Sequence, residues 1–400
     1  MPEPQIPESF KNDTYATEHF KRIVNNAAKY HPFYREHFKQ IATQIPLLSR
    51  SDVLEKNLLL LNGHPVTART SGSTGIPVQL SWSEKRIRLE KKVNARYISW
   101  LGGQLPCTRI IHVSDSKQRR QNCLDIQTPI DQQIEIIQYN FQKQGAVAIT
   151  TYPTNVENLC LRIIERGIDM SFIQRVGCYA EVFEPYQETL INQAFPNAMV
   201  WTTYSAMEFG IIAGRCPHNP EFHHIFSGKL GVEVLDQSGQ PCQKNEVGRL
   251  VITDYFNDQS PFIRYEIGDL AAKGDCPCGK INLPALSFIG GKVRGALVNP
   301  AGEKIPFTEL AAQLRDLPGI KQYQVIQHEV ERFEIRYVTA LKSESEKRLR
   351  DEIIKTLCEY FGYQPIVEFT KEQEIKREAN GKFYASICRV DGLESPPKKS

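Results

Sequence analysis

The feature that most restricts how this chain can fold is an alternation of strand-like and helix-like segments through its middle. Apolar, β-branched runs occur at Arg109–Val113, Ala146–Thr151, Ala198–Thr203, Gly231–Leu235 and Arg249–Thr253. Amphipathic stretches of helical period, Asn155–Arg166 and Glu184–Ala194, lie between some of them. Such an order predicts parallel or mixed sheets covered by helices. Upstream, Phe20, Ile23, Val24, Ala27 and Ala28 recur at helical spacing, with Asp13 or Thr14 as the cap. His31-Pro32 should end that helix, because a residue before proline avoids the α region. A short helix around Tyr34–Ile41 is expected next, while polar, proline-bearing residues 1–13 are expected to lie loosely on the surface.

The pattern changes near Gly290. Residues 319–340 read as a hairpin whose apolar positions flank a charged centre at His328–Arg332. Ser343–Tyr360 reads as an amphipathic helix with Leu349, Ile353, Ile354 and Leu357 on one side, followed by a strand at Ile366–Phe369. At 400 residues the chain exceeds one ordinary core, and a unit of about 110 residues can build its own. The expected architecture is therefore a large N-terminal α/β domain, residues 1–290, of mixed sheets covered by helices. A small α+β C-terminal domain, residues 291–400, should follow, with residues 290–295 as the hinge.

Composition narrows the setting. Hydrophobic residues at 41% and charged residues at 24% describe a globular chain rather than a disordered one. A net charge of +3, from 49 basic and 46 acidic residues, builds no broad positive field, so no nucleic-acid partner is expected. The N-terminus has no basic leader and apolar core, and no stretch approaches the ~18 apolar residues of a membrane span. A cytoplasmic location without a membrane partner is expected. In a reducing compartment the ten cysteines serve as packing residues, metal ligands or nucleophiles. None sits in a nucleophile motif, and Cys107, Cys160 and Cys358 read as core fillers.

Two local constellations carry chemistry. Thr70-Ser71-Gly72-Ser73-Thr74-Gly75 offers unobstructed backbone N–H groups and hydroxyls that can wrap a polyphosphate. Its bland alternative is a flexible serine/glycine turn. It is not an NTPase P-loop, because Ile76 stands where that motif needs lysine. The second constellation is Cys276 and Cys278, two apart, with Cys216 and, eight residues after it, His224. Three thiolates and one imidazole make a closed, structural zinc site. His223 and, less well, His218 compete for the imidazole position, and a packed turn with free thiols is the alternative.

Three further segments stand in a telling order behind the loop. They are Tyr204-Ser205-Ala206-Met207-Glu208, Arg264-Tyr265-Glu266-Ile267-Gly268-Asp269-Leu270 and Asn380-Gly381-Lys382. With the loop they resemble the signature of the adenylate-forming superfamily: acyl-CoA synthetases, peptide-synthetase adenylation domains and luciferases. His31-Pro32-Phe33-Tyr34, Tyr152-Pro153 and Cys276-Pro277-Cys278-Gly279 resemble its phenylacetate–CoA ligase-like branch, whose members often carry a similar cysteine/histidine set.

The resemblance implies ATP- and Mg²⁺-dependent activation of a small, aromatic carboxylic acid as its acyl-adenylate. Transfer to CoA, a carrier-protein thiol or an amine would follow. It implies that Thr70–Gly75 holds the phosphates, that Tyr204 lies against the nucleotide and that Ala180-Glu181 flanks the adenine. Glu208 would bind Mg²⁺, Asp269 the ribose hydroxyls, and Lys382 would be the catalytic lysine. Taken singly, Lys382 reads as an exposed lysine after a turn, Glu208 as a helix N-terminal acid and Asp269 as a turn cap. The sequence also departs from the family pattern. Ile76 replaces the loop lysine, Glu266 stands where a basic residue is common, and Gly291-Lys292-Val293-Arg294 replaces Gly-Arg-x-Asp at the hinge. Lys292 keeps a positive charge for the nucleotide, whereas Arg294 alters the hinge acid. A degenerate, nucleotide-binding relative is the competing reading.

Overall fold

The computed structural model describes residues 5–38, 45–70, 77–111, 123–181, 183–292, 297–302, 304–305, 307, 310, 313–314, 317–373, 375–376 and 384–390. The chain divides into two compact units: Met1–Phe183 with Ile191–Ile289, and Glu184–Leu190 with Gly290–Ser400.

The first unit opens with α1 (Thr14–Tyr30), α2 (Pro32–His37), α3 (Arg50–Glu55) and α4 (Asn57–Leu61). Asp13 caps α1 by accepting the Ala16 N–H at 3.0 Å, and Pro32 begins α2 at the position where its missing N–H costs nothing. The helix expected at Tyr34–Ile41 is thus the shorter α2. Residues 5–13 do not all lie loosely. Glu8–Phe10 form a 3₁₀ turn whose Phe10 is buried against Phe20 and Tyr255. One aromatic side chain is enough to pull a polar segment onto the core. The His-Pro-Phe-Tyr stretch is a packing element here. Phe33 and Tyr34 are buried, the Tyr34 hydroxyl donates to the Pro261 carbonyl at 2.7 Å, and His31 Nε2 donates to that of Asp258 at 2.6 Å.

A hairpin, β1 (Ala68–Arg69) and β2 (Gln79–Leu80), leads into α5 (Glu84–Trp100). The strand–helix alternation then appears as β3 (Cys107–Ile111), β4 (Cys123–Asp125), α6 (Ile130–Gln144), β5 (Ala148–Thr151), α7 (Pro153–Arg166), β6 (Arg175–Cys178), α8 (Pro185–Ala194) and β7 (Met199–Ala206). These five strands pair in parallel, and helices α6, α7 and α8 make the crossovers from β4 to β7. After β7 the strands are joined without helices: β8 (Gly210–Arg215), β9 (His223–Ile225), β10 (Leu230–Leu235), β11 (Gly248–Asp254), β12 (Tyr265–Gly274) and β13 (Ala285–Lys292). The result is one eleven-stranded sheet of order β10-β11-β12-β13-β9-β8-β7-β6-β5-β3-β4. Strand β7 is its switch point, parallel to β6 and antiparallel to β8. The core gathers α1, α2 and the antiparallel half: Phe20, Ile23, Val24 and Tyr34 pack in one cluster with Phe209, Val232, Ile252 and Tyr265.

The second unit is α+β. It holds the hairpin β14 (Leu297–Val298) and β15 (Lys304–Ile305), then β16 (Ile320–Glu329), β17 (Arg332–Thr339), α9 (Ser343–Phe361), β18 (Ile366–Lys371) and β19 (Ser386–Cys388). The sheet order is β18-β17-β16-β19. Phe333, Ile335 and Tyr337, alternate residues of β17, meet Leu349, Ile353 and Leu357 of α9, so the period-2 and period-3.6 faces read from sequence bury one another. Among the described residues no helix is long and apolar enough to cross a membrane.

Candidate active site

The residues that bracket the glycine-rich segment are tied to each other. Thr70 N–H donates to the Val78 carbonyl, and the Val78 N–H donates back to Thr70 Oγ1, each at 2.9 Å. Ser71, Gly72, Ser73, Thr74, Gly75 and Ile76 lie outside the described residues, as do Arg294 and Lys382. Lys292 ends β13.

At the switch point the sheet geometry is deliberately irregular. Between Tyr204 and Ser205 the β7–β8 register slips, with Tyr204 opposite Ala213 but Ser205 opposite Ile211. A bulge of this kind re-aims a side chain. Between β11 and β12, Arg249 faces Leu270 while Val251 faces Glu266, so Ile267, Gly268 and Asp269 arch out of the ladder. Gly268 supplies the arch with a φ of +84°, a conformation costly for any residue with a Cβ. Across the sheet these irregularities bring Tyr204 and Asp269 together, and the tyrosine hydroxyl donates to Asp269 Oδ2. Burial pushes the Tyr204 phenol well above its usual range, and the Asp269 charge, their hydrogen bond and the Glu208 charge add to it. Glu208 is itself buried and sits in the β7–β8 turn, not at a helix N-terminus.

The flanking residues of these motifs have structural work. Arg264, at a φ of +49°, grips the Glu233 carboxylate through Nε and Nη2 at 3.0 and 3.1 Å and donates to the Ile45 carbonyl at 2.6 Å. Glu266 accepts from Arg249 Nη1 at 2.9 Å, which accounts for an acid at this position. Ala180 follows β6 at a φ of +72°, an uncommon conformation for alanine and a mark of a constrained turn. The Glu181 carboxylate accepts the Thr154 N–H and hydroxyl at 3.0 and 2.7 Å, at the start of α7. Its side chain thus serves the helix, leaving the backbone of 180–181 as the part able to face a ligand.

The structure also assembles the cysteine and histidine set. The ligand atoms of Cys216, His224, Cys276 and Cys278 all lie within 4.8 Å of one another. Tetrahedral zinc–sulfur geometry requires sulfurs about 3.8 Å apart, so the donor set fits zinc in size as well as chemistry. His224 Nδ1 donates to the Leu283 carbonyl at 3.0 Å, which leaves Nε2 with its lone pair, 3.6 Å from Cys278 Sγ. Burial raises the Cys278 thiol, but the Lys280 and Ile281 N–H groups, with Cys276 and His224, bring it down to about 6; Cys276, mainly through burial, is held up at about 12. His223 is turned away, paired with Thr202 Oγ1 at 2.8 Å. Its imidazole is kept neutral by burial, with a pKa pushed down to about 3. His218 is not in the cluster.

One group of residues had no signal in the sequence. Arg86, Glu90, Lys229 and Asp254 form a buried charge cluster beneath the β7–β8 turn. In sequence, Arg86 and Glu90 look like any i,i+4 pair on a helix surface.

No protein-family model matches the sequence, and no curated protein matches it either. Solved structures do. A 2-hydroxyisobutyryl-CoA ligase in the postadenylation state, in complex with 2-HIB-AMP, superposes with a TM-score of 0.74 over 96% of this chain and 90% of its own, at 16% identity. This chain has the adenylate-forming fold. The same fold is shared, more distantly, with the anthranilate CoA ligase AuaEII in complex with anthranoyl-AMP: TM-score 0.56, 14% identity, 79% of this chain and 65% of that one. The amide bond synthetase McbA from Marinactinospora thermotolerans has a TM-score of 0.55, 14% identity, and 77% and 65% coverage.

Proposed function

We propose that this protein is an ATP- and Mg²⁺-dependent ligase that activates a small carboxylic acid as its acyl-adenylate. The observation that carries the reading is the hydrogen bond from the Tyr204 hydroxyl to the buried Asp269 carboxylate, with the buried Glu208 charge acting on the same tyrosine from the β7–β8 turn.

In this reading a carboxylate oxygen attacks the α-phosphorus of ATP and pyrophosphate leaves. Two anions must approach, so the site has to supply cations and preorganised donors. Thr70–Gly75 would hold the β- and γ-phosphates, with the Thr70–Val78 hydrogen bonds fixing the loop's base. Asp269, oriented by the Tyr204 hydroxyl, would accept from the ribose hydroxyls. Glu208 would hold Mg²⁺, which neutralises phosphate charge when bound. Lys382 would neutralise the carboxylate and the α-phosphate, and Lys292 would add a positive charge near the nucleotide. The backbone at Ala180-Glu181 would flank the adenine. Zinc on Cys216, His224, Cys276 and Cys278 would be structural, since four protein ligands close its shell, and would clip the β8–β9 turn to the segment after β12.

The phenylacetate–CoA ligase-like motifs favour an aromatic acid and CoA as acceptor, with a carrier-protein thiol or an amine as the other acceptors this chemistry allows. A cytoplasmic location is part of the same reading. Ile76 and Arg294 favour a second reading, a degenerate nucleotide-binding relative. ATP–pyrophosphate exchange over a panel of small aromatic and aliphatic acids separates the two. Exchange that depends on one class of acid is expected. Tight nucleotide binding without exchange, for any acid, would establish the degenerate reading.

A further inference from the structure

The buried charge cluster bonds the backbone that follows Glu208. Arg86 and Glu90 share one face of α5, and the Arg86 side chain is fully enclosed. Each nitrogen of its guanidinium donates one hydrogen bond: Nε to Asp254 Oδ2 at 2.6 Å, Nη1 to Glu90 Oε2 at 2.9 Å, and Nη2 to the Phe209 carbonyl at 2.6 Å. Lys229, also buried, donates to Glu90 Oε2 at 2.6 Å and to the same Phe209 carbonyl at 2.9 Å. The other oxygen of Glu90 accepts the Ile211 N–H at 2.7 Å. The backbone just after Glu208 is therefore held twice, through the carbonyl of the next residue and the amide two residues beyond that. Between them Gly210, at a φ of +65°, brings the turn so close that a Cβ there would stand 2.4 Å from the Glu90 carboxyl carbon.

Two cations and two carboxylates enclosed in this way are an expensive means of filling space. An apolar contact of the same volume would hold a core as well at a smaller desolvation cost. What the cluster offers over an apolar contact is direction, since each hydrogen bond fixes one backbone group of the turn. We propose that Arg86, Glu90 and Lys229 are positioning residues for Glu208, setting where its carboxylate stands through the Phe209 carbonyl and the Ile211 amide. The assignment rests on the reading of Glu208 as the residue that holds Mg²⁺.

The test compares ATP binding with and without Mg²⁺ by calorimetry, a readout independent of turnover. Lys229→Met deletes one donor to the Phe209 carbonyl and keeps the stem that packs in the core. It should weaken binding of Mg²⁺-loaded ATP on the order of tenfold, the usual effect of losing a partner that orients a metal ligand. Binding of ATP in chelator should change less than twofold, and Lys229→Arg should recover most of the loss. Lys229→Gln, whose shorter neutral side chain gives up the ion pair to Glu90, serves if the Met variant does not fold and should show a loss in the same direction. Glu208→Gln is the control for the underlying reading. If Glu208→Gln loses the Mg²⁺-dependent part of binding while the Lys229 variants melt lower but keep it, the cluster is structural and the positioning role is wrong. If Glu208→Gln itself keeps the Mg²⁺ dependence, the reading of Glu208 falls first and the positioning role with it.

Discussion

Asp269 shows how much a single side chain depends on its surroundings. Its carboxylate is buried in the arch of β12, faces the Tyr204 hydroxyl, and is preceded by the one residue, Gly268, whose backbone can make the arch. Asp269→Ala is expected to weaken ATP binding much more than binding of the acid. Two charge-assisted hydrogen bonds to ribose would be lost, each worth roughly 1.5–3 kcal/mol. Calorimetry with ATP and with the free acid checks this, and an unchanged ATP affinity would make Asp269 a turn residue. Tyr204→Phe, which removes the orienting hydroxyl but leaves the carboxylate, should produce a smaller loss of the same kind. The Tyr and Asp were both legible as motif residues because each sits in a short recurring pattern. Their hydrogen bond was not, because it joins positions 65 residues apart through the pairing of strands that no local pattern encodes.

Elements carry the next level of constraint. The β8–β9 and β12–β13 connections each bring cysteine to one small volume, while His224 comes from β9 itself. Protein purified without chelator should contain about one zinc per chain by metal analysis, and Cys278→Ser should lose it and melt lower, since binding energy at a structural site is folding energy. A metal-free wild-type protein would end the zinc assignment. In the second unit, α9 is tied to its sheet by Glu346, which accepts from the Tyr337 hydroxyl at 2.6 Å, from Lys371 at 2.6 Å and from Arg350 at 3.0 Å. The hydrogen bonds from Lys371 and Tyr337 hold its carboxyl down at about 2. A depressed carboxyl stabilises the fold above the unfolded-state pKa, near 4.5, and loses that contribution as pH falls through the folded value. The melting-temperature gap between wild type and Glu346→Gln should therefore be full at pH 6 to 7 and shrink between about pH 4.5 and 2. A gap that does not change with pH would show that Glu346 acts through packing rather than charge. The sheet and helix of this unit were legible because Phe333, Ile335 and Tyr337 alternate while Leu349, Ile353 and Leu357 step at helical spacing. The salt-bridged cluster was not, since a glutamate and a lysine 25 residues apart carry no mutual signature.

For the whole molecule, the separation of the chain into two units assigns Asp269 and Lys382 to different bodies of the fold. Lys382→Ala should accordingly leave the first unit's core and ATP binding nearly intact, yet lower acid-dependent pyrophosphate exchange on the order of 10²–10³, the usual cost of one preorganised charge donor. Thioester formation from supplied acyl-adenylate should be less affected. Wild-type exchange in the variant would reassign the role of the second unit. What the sequence by itself determined is the strand–helix alternation of the first unit, the hairpin and amphipathic α9 of the second, and the order of the segments around Tyr204, Asp269 and Lys382. Those features are written in contiguous residues, where hydrophobic period and turn chemistry act over a few positions. Only the tertiary structure decided that His224 and not His223 joins the three cysteines, that Phe10 is core, and that Glu181 caps α7. It alone also decided that Arg86, Glu90, Lys229 and Asp254 neutralise one another against the backbone that follows Glu208. Each of these depends on which strand lies beside which, and a buried charge or a metal ligand finds its partners through space, from residues that the chain order keeps far apart.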